Sequence, residues 1–273
     1  MHYLFFIGLL LVVAPGAYAQ NDLPATSQEI VREGVALYQL ERAAWISTDL
    51  LQARGFPTPQ VSGYFSYAAA DSVRTLFVGG AGPTAQVLAE YRYPLRAIRP
   101  ATARAAGPRP LLPRERALLA IRQQSLADLG HIPEAKLPER ASFNAVLLSK
   151  GGQTWVYVLT AATRPGVTLL GNDYLLRYDA AGRLLGTHKL HPTLVLIRRP
   201  ATTPAVQTTA HIHPTDASPF ITPTDICTLL LYRSQFPGAS HVVLSKKYAS
   251  IFSFADARLT IISRREFERM QPR

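Results

Sequence analysis

His211-Ile212-His213-Pro214-Thr215-Asp216-Ala217-Ser218-Pro219-Phe220-Ile221-Thr222-Pro223-Thr224-Asp225 is the stretch on which the fold and the chemistry of this chain turn. Two histidines two apart on a strand put both imidazoles on one face, with Ala210 and Ile212 on the other, toward a core. Pro214 ends that strand. Thr222 is a favourable helix N-cap, and Pro223 suits the first helical position. Asp225 then falls in the first helical turn, where the helix end favours negative charge. Two neutral imidazoles and a carboxylate are an ordinary ligand set for zinc. Three protein ligands leave a fourth position for water, which a catalytic zinc requires.

Working outward, the pattern predicts a helix over 223–234, then strands over 241–246, 248–254 and 259–263, and a short helix over 264–270. The run from Ile226 to Leu231 is apolar nearly all round, so this helix is expected to be buried, with Cys227 an inert core residue. Upstream, strands over 143–148 and 154–159 flank Gly151-Gly152, a hairpin signal. Strands over 174–178, 184–190, 194–197 and 208–213 follow. The N-terminal part reads as a helix over 26–52, opened by a capping box at Thr26 and Glu29, and strands over 63–67, 72–78 and 85–93. A further helix is expected over 114–129. One helix among mainly antiparallel strands gives an α+β, or mixed α/β, class. The expected organisation is a signal peptide over 1–19, a helix and antiparallel strands over 20–93, a Pro/Arg-rich linker over 94–112, and a domain with a central sheet and buried helix over 113–273.

The spacing His211-x-His213-Pro214, seven residues, Thr222-x-x-Asp225 resembles the metal motif of the JAMM (JAB/MPN-type) metalloproteases, H-x-H-P, seven residues, S-x-x-D. The resemblance covers residues 140–265 and is specific over 211–225. It implies that His211, His213 and Asp225 hold zinc and that the chain hydrolyses a peptide or isopeptide bond. It places Thr222 where the family's serine steadies the oxyanion. The family also carries a glutamate, in an E-x-x-G-L-like run, that takes a proton from the attacking water. This chain has no such run; Glu139 is the nearest candidate for that catalytic role, and Glu41 is another. The alternative expectation is a non-catalytic, secreted binding module with a structural or vestigial metal site. Either reading implies a protein or peptide as substrate or partner.

Composition bounds these readings. The chain has 273 residues, a net charge of +11 and 48% apolar residues, as a globular protein does. Its single cysteine excludes an intrachain disulfide and any cysteine-built metal cage. Lys136, Lys150, Lys189, Lys246 and Lys247 are the only lysines among 29 basic residues; the rest are arginine. Eight arginines and one acid, Glu115, lie between Arg92 and Arg122. Arginine forks onto phosphate, so an acidic partner could dock there, although the prolines favour a solvated linker. The basic residues neither cluster on one helix nor alternate with aromatics, so nucleic acid is not an expected partner. The apolar run from Leu4 to Ala14 followed by Ala17-Tyr18-Ala19 reads as a cleaved secretory signal. The mature form is then expected to be exported, periplasmic or extracellular, soluble, and without a transmembrane segment.

The remaining candidates have plainer readings. His188 and His191 frame a hairpin end; they could add a ligand, but exposed turn histidines are the expected reading. His241 opens a strand near the site. Asp216 lies too close to His213 in sequence to bridge easily. Ser218 has no G-x-S-x-G context, against a serine hydrolase.

Overall fold

The computed structural model describes residues 23–198, 208–214, 218–236 and 238–270. The expected signal peptide and Asp216 lie outside these. Helix α1 (Leu23–Ala53) leads into a first antiparallel sheet, β1 (Gly63–Ala69), β2 (Ser72–Gly79) and β3 (Gln86–Pro94). Strands β4 (Arg104–Ala106) and β5 (Arg109–Pro110) both pair with β3, so this part of the stretch read as a linker belongs to the sheet. Arg109 pins it there: its guanidinium donates to Glu90 at 2.8 Å and to Glu115 at 2.7 Å. Glu115 sits in the first turn of α2 (Pro113–Gly130), where its carboxylate also accepts from the Leu112 amide.

The second sheet has the order β10 (Leu184–Lys189), β9 (Tyr174–Tyr178), β7 (Gln153–Ala162), β6 (Ala141–Lys150). Lys150 pairs with Gln153 across Gly151-Gly152, the expected hairpin. A strand absent from the sequence reading, β8 (Val167–Gly171), pairs with β11 (Leu194–Arg198) as a separate ribbon. The third sheet is β12 (Thr208–Ile212), β13 (Ser240–Leu244), β14 (Tyr248–Ser253), β15 (Leu259–Ser263), with α4 (Arg264–Met270) after it. Its first two strands are parallel, joined through the helix α3 (Pro223–Leu231); the rest are antiparallel. The architecture is mixed α+β, as the class reading expected.

Apolar packing crosses the boundaries read from sequence. Phe65 and Leu76 of the first sheet share one core with Leu118 of α2 and Val156 and Leu176 of the second sheet. Leu37 and Leu40 of α1 share another with Tyr91, Tyr157 and Cys227. The third sheet packs on α3 through Ile226, Leu229, Val243 and Phe252. Helix α3 is buried as its composition dictates: Ile226, Cys227 and Leu229 have no exposed surface. Gly34 lets α1 cross it closely, because a Cβ there would stand 2.6 Å from that of Ile226. Helix α1 begins before the expected capping box, so Thr26 and Glu29 lie inside it, and Glu29 pairs with Lys150 at 2.6 Å. No described helix is long and apolar enough to cross a membrane.

Candidate metal centre

Strand β12 delivers His211, and the chain continues extended to His213, whose amide donates to Leu244 O at 2.8 Å. Both imidazoles lie on the buried face, as the two-residue spacing requires. The opposite face points to solvent rather than to a core: Ile212 is 66% exposed. Among the described strands β12 lies at the edge of its sheet, and its histidine side is buried while Ile212 is exposed.

Asp225 arrives from the first turn of α3. Thr222 is its N-cap in a reciprocal box: the Asp225 amide donates to Thr222 Oγ1 at 3.2 Å, and the Thr222 amide donates to Asp225 Oδ2 at 2.8 Å. The Thr222 hydroxyl also donates to Asp225 Oδ2, at 2.9 Å. The hydroxyl expected to serve an oxyanion thus orients the Asp225 carboxylate, because the N-cap geometry points it there.

The fourth member is His191, for which an exposed turn was the expected reading and an added ligand the alternative; it is 3% exposed and joins His211, His213 and Asp225. Ligand atoms from these four residues all lie within 4.8 Å of one another. His191 Nε2 is 2.9 Å from His213 Nε2 and 3.2 Å from Asp225 Oδ2. His213 Nε2 is 3.5 Å from Asp225 Oδ2, and His211 Nε2 is 3.7 Å from Asp225 Oδ1. Bonds of the usual zinc length would set ligand–ligand edges of about 3.3 Å, close to the separations among His191 Nε2, His213 Nε2 and Asp225 Oδ2. His211 Nε2 and Asp225 Oδ1 are buried without a hydrogen-bond partner. A buried imidazole nitrogen and a carboxylate oxygen facing each other without partners are what a cation between them would satisfy. The four residues fit a metal ion.

His191 is placed by a glycine. Gly171 closes β8 at φ +98°, and a Cβ there would stand 2.2 Å from Thr193 O. That contact lets the turn from Gly171 to Asp173 lie against residues 190–193, with the Leu190 amide donating to Asp173 O at 2.8 Å. Asp173 Oδ2 then faces His191 Nδ1 at 3.6 Å, an ion-pair separation. The other two imidazoles are also backed. His213 Nδ1 donates to Ser218 O at 3.0 Å; a carbonyl only accepts, so Nε2 carries the lone pair toward the centre. His211 Nδ1 meets His241 Nε2 at 2.8 Å, and His241 Nδ1 meets Thr209 Oγ1 at 2.7 Å. Such partners fix the ring and tautomer of a metal-binding histidine.

The electrostatics follow from burial and these neighbours. Burial opposes the charged form of His191, but Asp225 and Asp173 outweigh it and push the imidazole up to about 10. Burial alone would raise Asp225, yet His191, His213 and His211 hold it well below the usual carboxylate range. Burial, with His213 and His191 adding, brings His211 down to about 4. His241 falls to about 3 for the same reason, with His211 beside it.

Neither expected general base is a member of this group. Glu139 is 88% exposed and pairs with Arg140 at 3.2 Å, because the loop before β6 leaves it on the surface. Glu41 is buried on α1 and accepts from Asn144 at 2.5 Å. His188 is exposed on β10, as expected. The sequence signal for His191 was a second His-Pro step: His191-Pro192 and His213-Pro214 each leave a histidine where an extended segment stops. Asp173 had no comparable signal, since its role depends on the Gly171 contact.

Fold and site together define an α+β chain with a buried group of three histidines and one aspartate that could hold a metal ion. Comparison of the chain with protein-family models, with curated proteins and with solved structures finds no match.

Proposed function

We propose that this chain is an exported, non-catalytic binding module whose C-terminal part is locked by one zinc ion held by His191, His211, His213 and Asp225. The observation that carries the reading is the fourth ligand. A catalytic zinc keeps a coordination position open, whereas structural sites are closed by four protein ligands. His191 stands in the place that the H-x-H-P and T-x-x-D spacing by itself leaves free. Three imidazoles and a carboxylate gathered at one buried point favour zinc over the harder, oxygen-seeking ions. The ion would tie β12, α3 and the two loops carrying His191 and Asp173 into one unit, and it would supply cross-linking rather than Lewis-acid chemistry. Export rests on the apolar run and small-residue step before Gln20.

The test is metal content and coordination of protein purified without chelator. One zinc per chain, and an intense four-coordinate visible spectrum after cobalt substitution, are expected. Zinc-free protein, or a five-coordinate spectrum, contradicts the reading. A second reading, a JAMM-like zinc hydrolase of peptide or isopeptide bonds, is favoured by the convergence of His211, His213 and Asp225 at the family's spacing. It requires His191 to leave the group. Under it, His191→Ala keeps the metal and raises peptide hydrolysis; under the first reading the same variant loses metal and melts earlier.

A further inference from the structure

We propose that an arginine-lined hollow at the end of the first sheet binds a small polyanion carrying clustered phosphate oxygens. This inference is independent of the metal centre. The hollow, about 510 Å³, is bounded by the turn over residues 69–72 and by Arg74, Arg92, Arg104 and Arg114. Strand register puts three of these in a row: Arg74 lies opposite Arg92, and Arg92 opposite Arg104. Like charges directly opposite on neighbouring strands are destabilising. A ladder of three guanidinium groups is therefore a cost to the sheet that an anion lying across it would remove.

The acids nearby offset the ladder only in part. Glu90 Oε1 stands 3.5 Å from both Arg74 and Arg92, a loose contact shared between two cations. Its other oxygen accepts from Arg109 at 2.9 and 2.8 Å. Asp71, in the turn, is the only acid among the described residues that line the hollow. Arg104 and Arg114 make no ion pair among the described residues; Arg114 lies over the Tyr67 ring at 5.4 Å. Arg74 Nε is buried without a hydrogen-bond partner. Four forked donors with an excess of positive charge suit tetrahedral oxyanions, on which arginine makes paired hydrogen bonds. The volume exceeds that of a single phosphate, so a ligand with two or more phosphate groups fits best. It could be a free phosphorylated small molecule or the headgroups of an anionic lipid surface; the recognising chemistry is the same.

The experiment titrates the purified chain with inorganic pyrophosphate at physiological salt, and in parallel with phosphatidylcholine vesicles containing phosphatidylglycerol. Arg104→Ala is the principal variant, since Arg104 is exposed and removing an unpaired cation should leave folding intact. Arg265→Ala, an exposed arginine on α4, is the control for non-specific attraction to a chain of charge +11. Expected are one saturable site per chain, at least tenfold weaker binding in Arg104→Ala, and no change in Arg265→Ala. Any metal that pyrophosphate strips would be stripped equally from all three proteins. Binding to vesicles alone, lost in Arg104→Ala, also supports the site and places its ligand in a membrane. No binding to either probe, or equal weakening by both substitutions, overturns it.

Discussion

His191 Nε2 lies 2.9 Å from His213 Nε2, two histidines that sequence separates by the whole of β11 and β12. His213 points its lone pair at this contact, because its other nitrogen donates to the Ser218 carbonyl. The hydrogen between the two rings therefore belongs to His191. Without an ion the group holds a proton where the ion's charge would sit.

That proton must leave when a metal enters. His191 is pushed up to about 10, above its ordinary value of 6.5, so the metal-free protein carries it charged through pH 7–9. A metal needs the neutral ring. Zinc binding should release about one proton per ion at pH 8, and affinity should rise about tenfold per pH unit up to about 10, then level off. Calorimetry in buffers of different ionisation enthalpy counts the proton; a count of zero at pH 8 would show that His191 is not displaced to neutral.

Asp173 and Gly171 hold His191 from behind, and each gives a distinct outcome. Asp173→Asn removes the carboxylate at 3.6 Å and should weaken zinc binding about 10–100-fold with little change in far-ultraviolet dichroism. Gly171→Ala cannot keep the backbone as it is, with a Cβ 2.2 Å from Thr193 O. It should lower both stability and zinc affinity, because the turn must swing away from residues 190–193. Competition against a chelator measures both, and an unchanged affinity in Gly171→Ala would mean that the turn does not position His191.

Much of this centre was legible from sequence, for local reasons. His211 and His213 share a face because strands alternate, and Asp225 faces them because Thr222 and Pro223 start a helix at a fixed point. These constraints act within fifteen residues. His191 and Asp173 come together through a glycine packed on a distant carbonyl, and no periodicity encodes that. The same limit explains β4 and β5: they are too short to alternate, and Arg109 holds them by ion pairs with Glu90 and Glu115. Ile212 was read inward because both faces of a strand look alike until its neighbours are known.

Glu41 makes stability depend on pH. Burial, opposed by Arg122 and by the Asn144 hydrogen bond, raises its carboxyl from 4.5 to about 7. The folded state then holds a proton that the unfolded chain gives up. Between about pH 4.5 and 7 the folded state binds more protons, so this group's effect on stability becomes steadily less favourable as pH rises, and is constant above. The full change is on the order of 3 kcal/mol at 1.36 kcal/mol per unit. Glu41→Gln keeps an acceptor for Asn144 and cannot ionise. It should be more stable than the parent at pH 8, with the gap closing toward pH 5. Chemical denaturation at the two pH values decides it, and a gap that does not change with pH would remove Glu41 as the cause.

His241 sets the tautomer of His211 without touching the metal position itself. For His211 to offer Nε2 to an ion, its hydrogen must sit on Nδ1, where His241 Nε2 accepts it at 2.8 Å. His241 would then carry its own hydrogen on Nδ1, where the Thr209 hydroxyl at 2.7 Å can accept it. Its fall to about 3 keeps it neutral, and so able to accept, at neutral pH. His241→Leu removes that acceptor and leaves a buried N–H unpaired, which favours moving the hydrogen to Nε2 and blocking the ligand. Zinc affinity should fall about 10–100-fold. His241→Gln restores an acceptor of similar reach and should recover most of the loss. A merely volume-filling role predicts the reverse order, with Leu tolerated at least as well as Gln. Chelator competition on the two variants, read beside their cobalt spectra, separates the alternatives: lower affinity with a distorted spectrum for Leu, and near-parental values for Gln, are the signature of tautomer control.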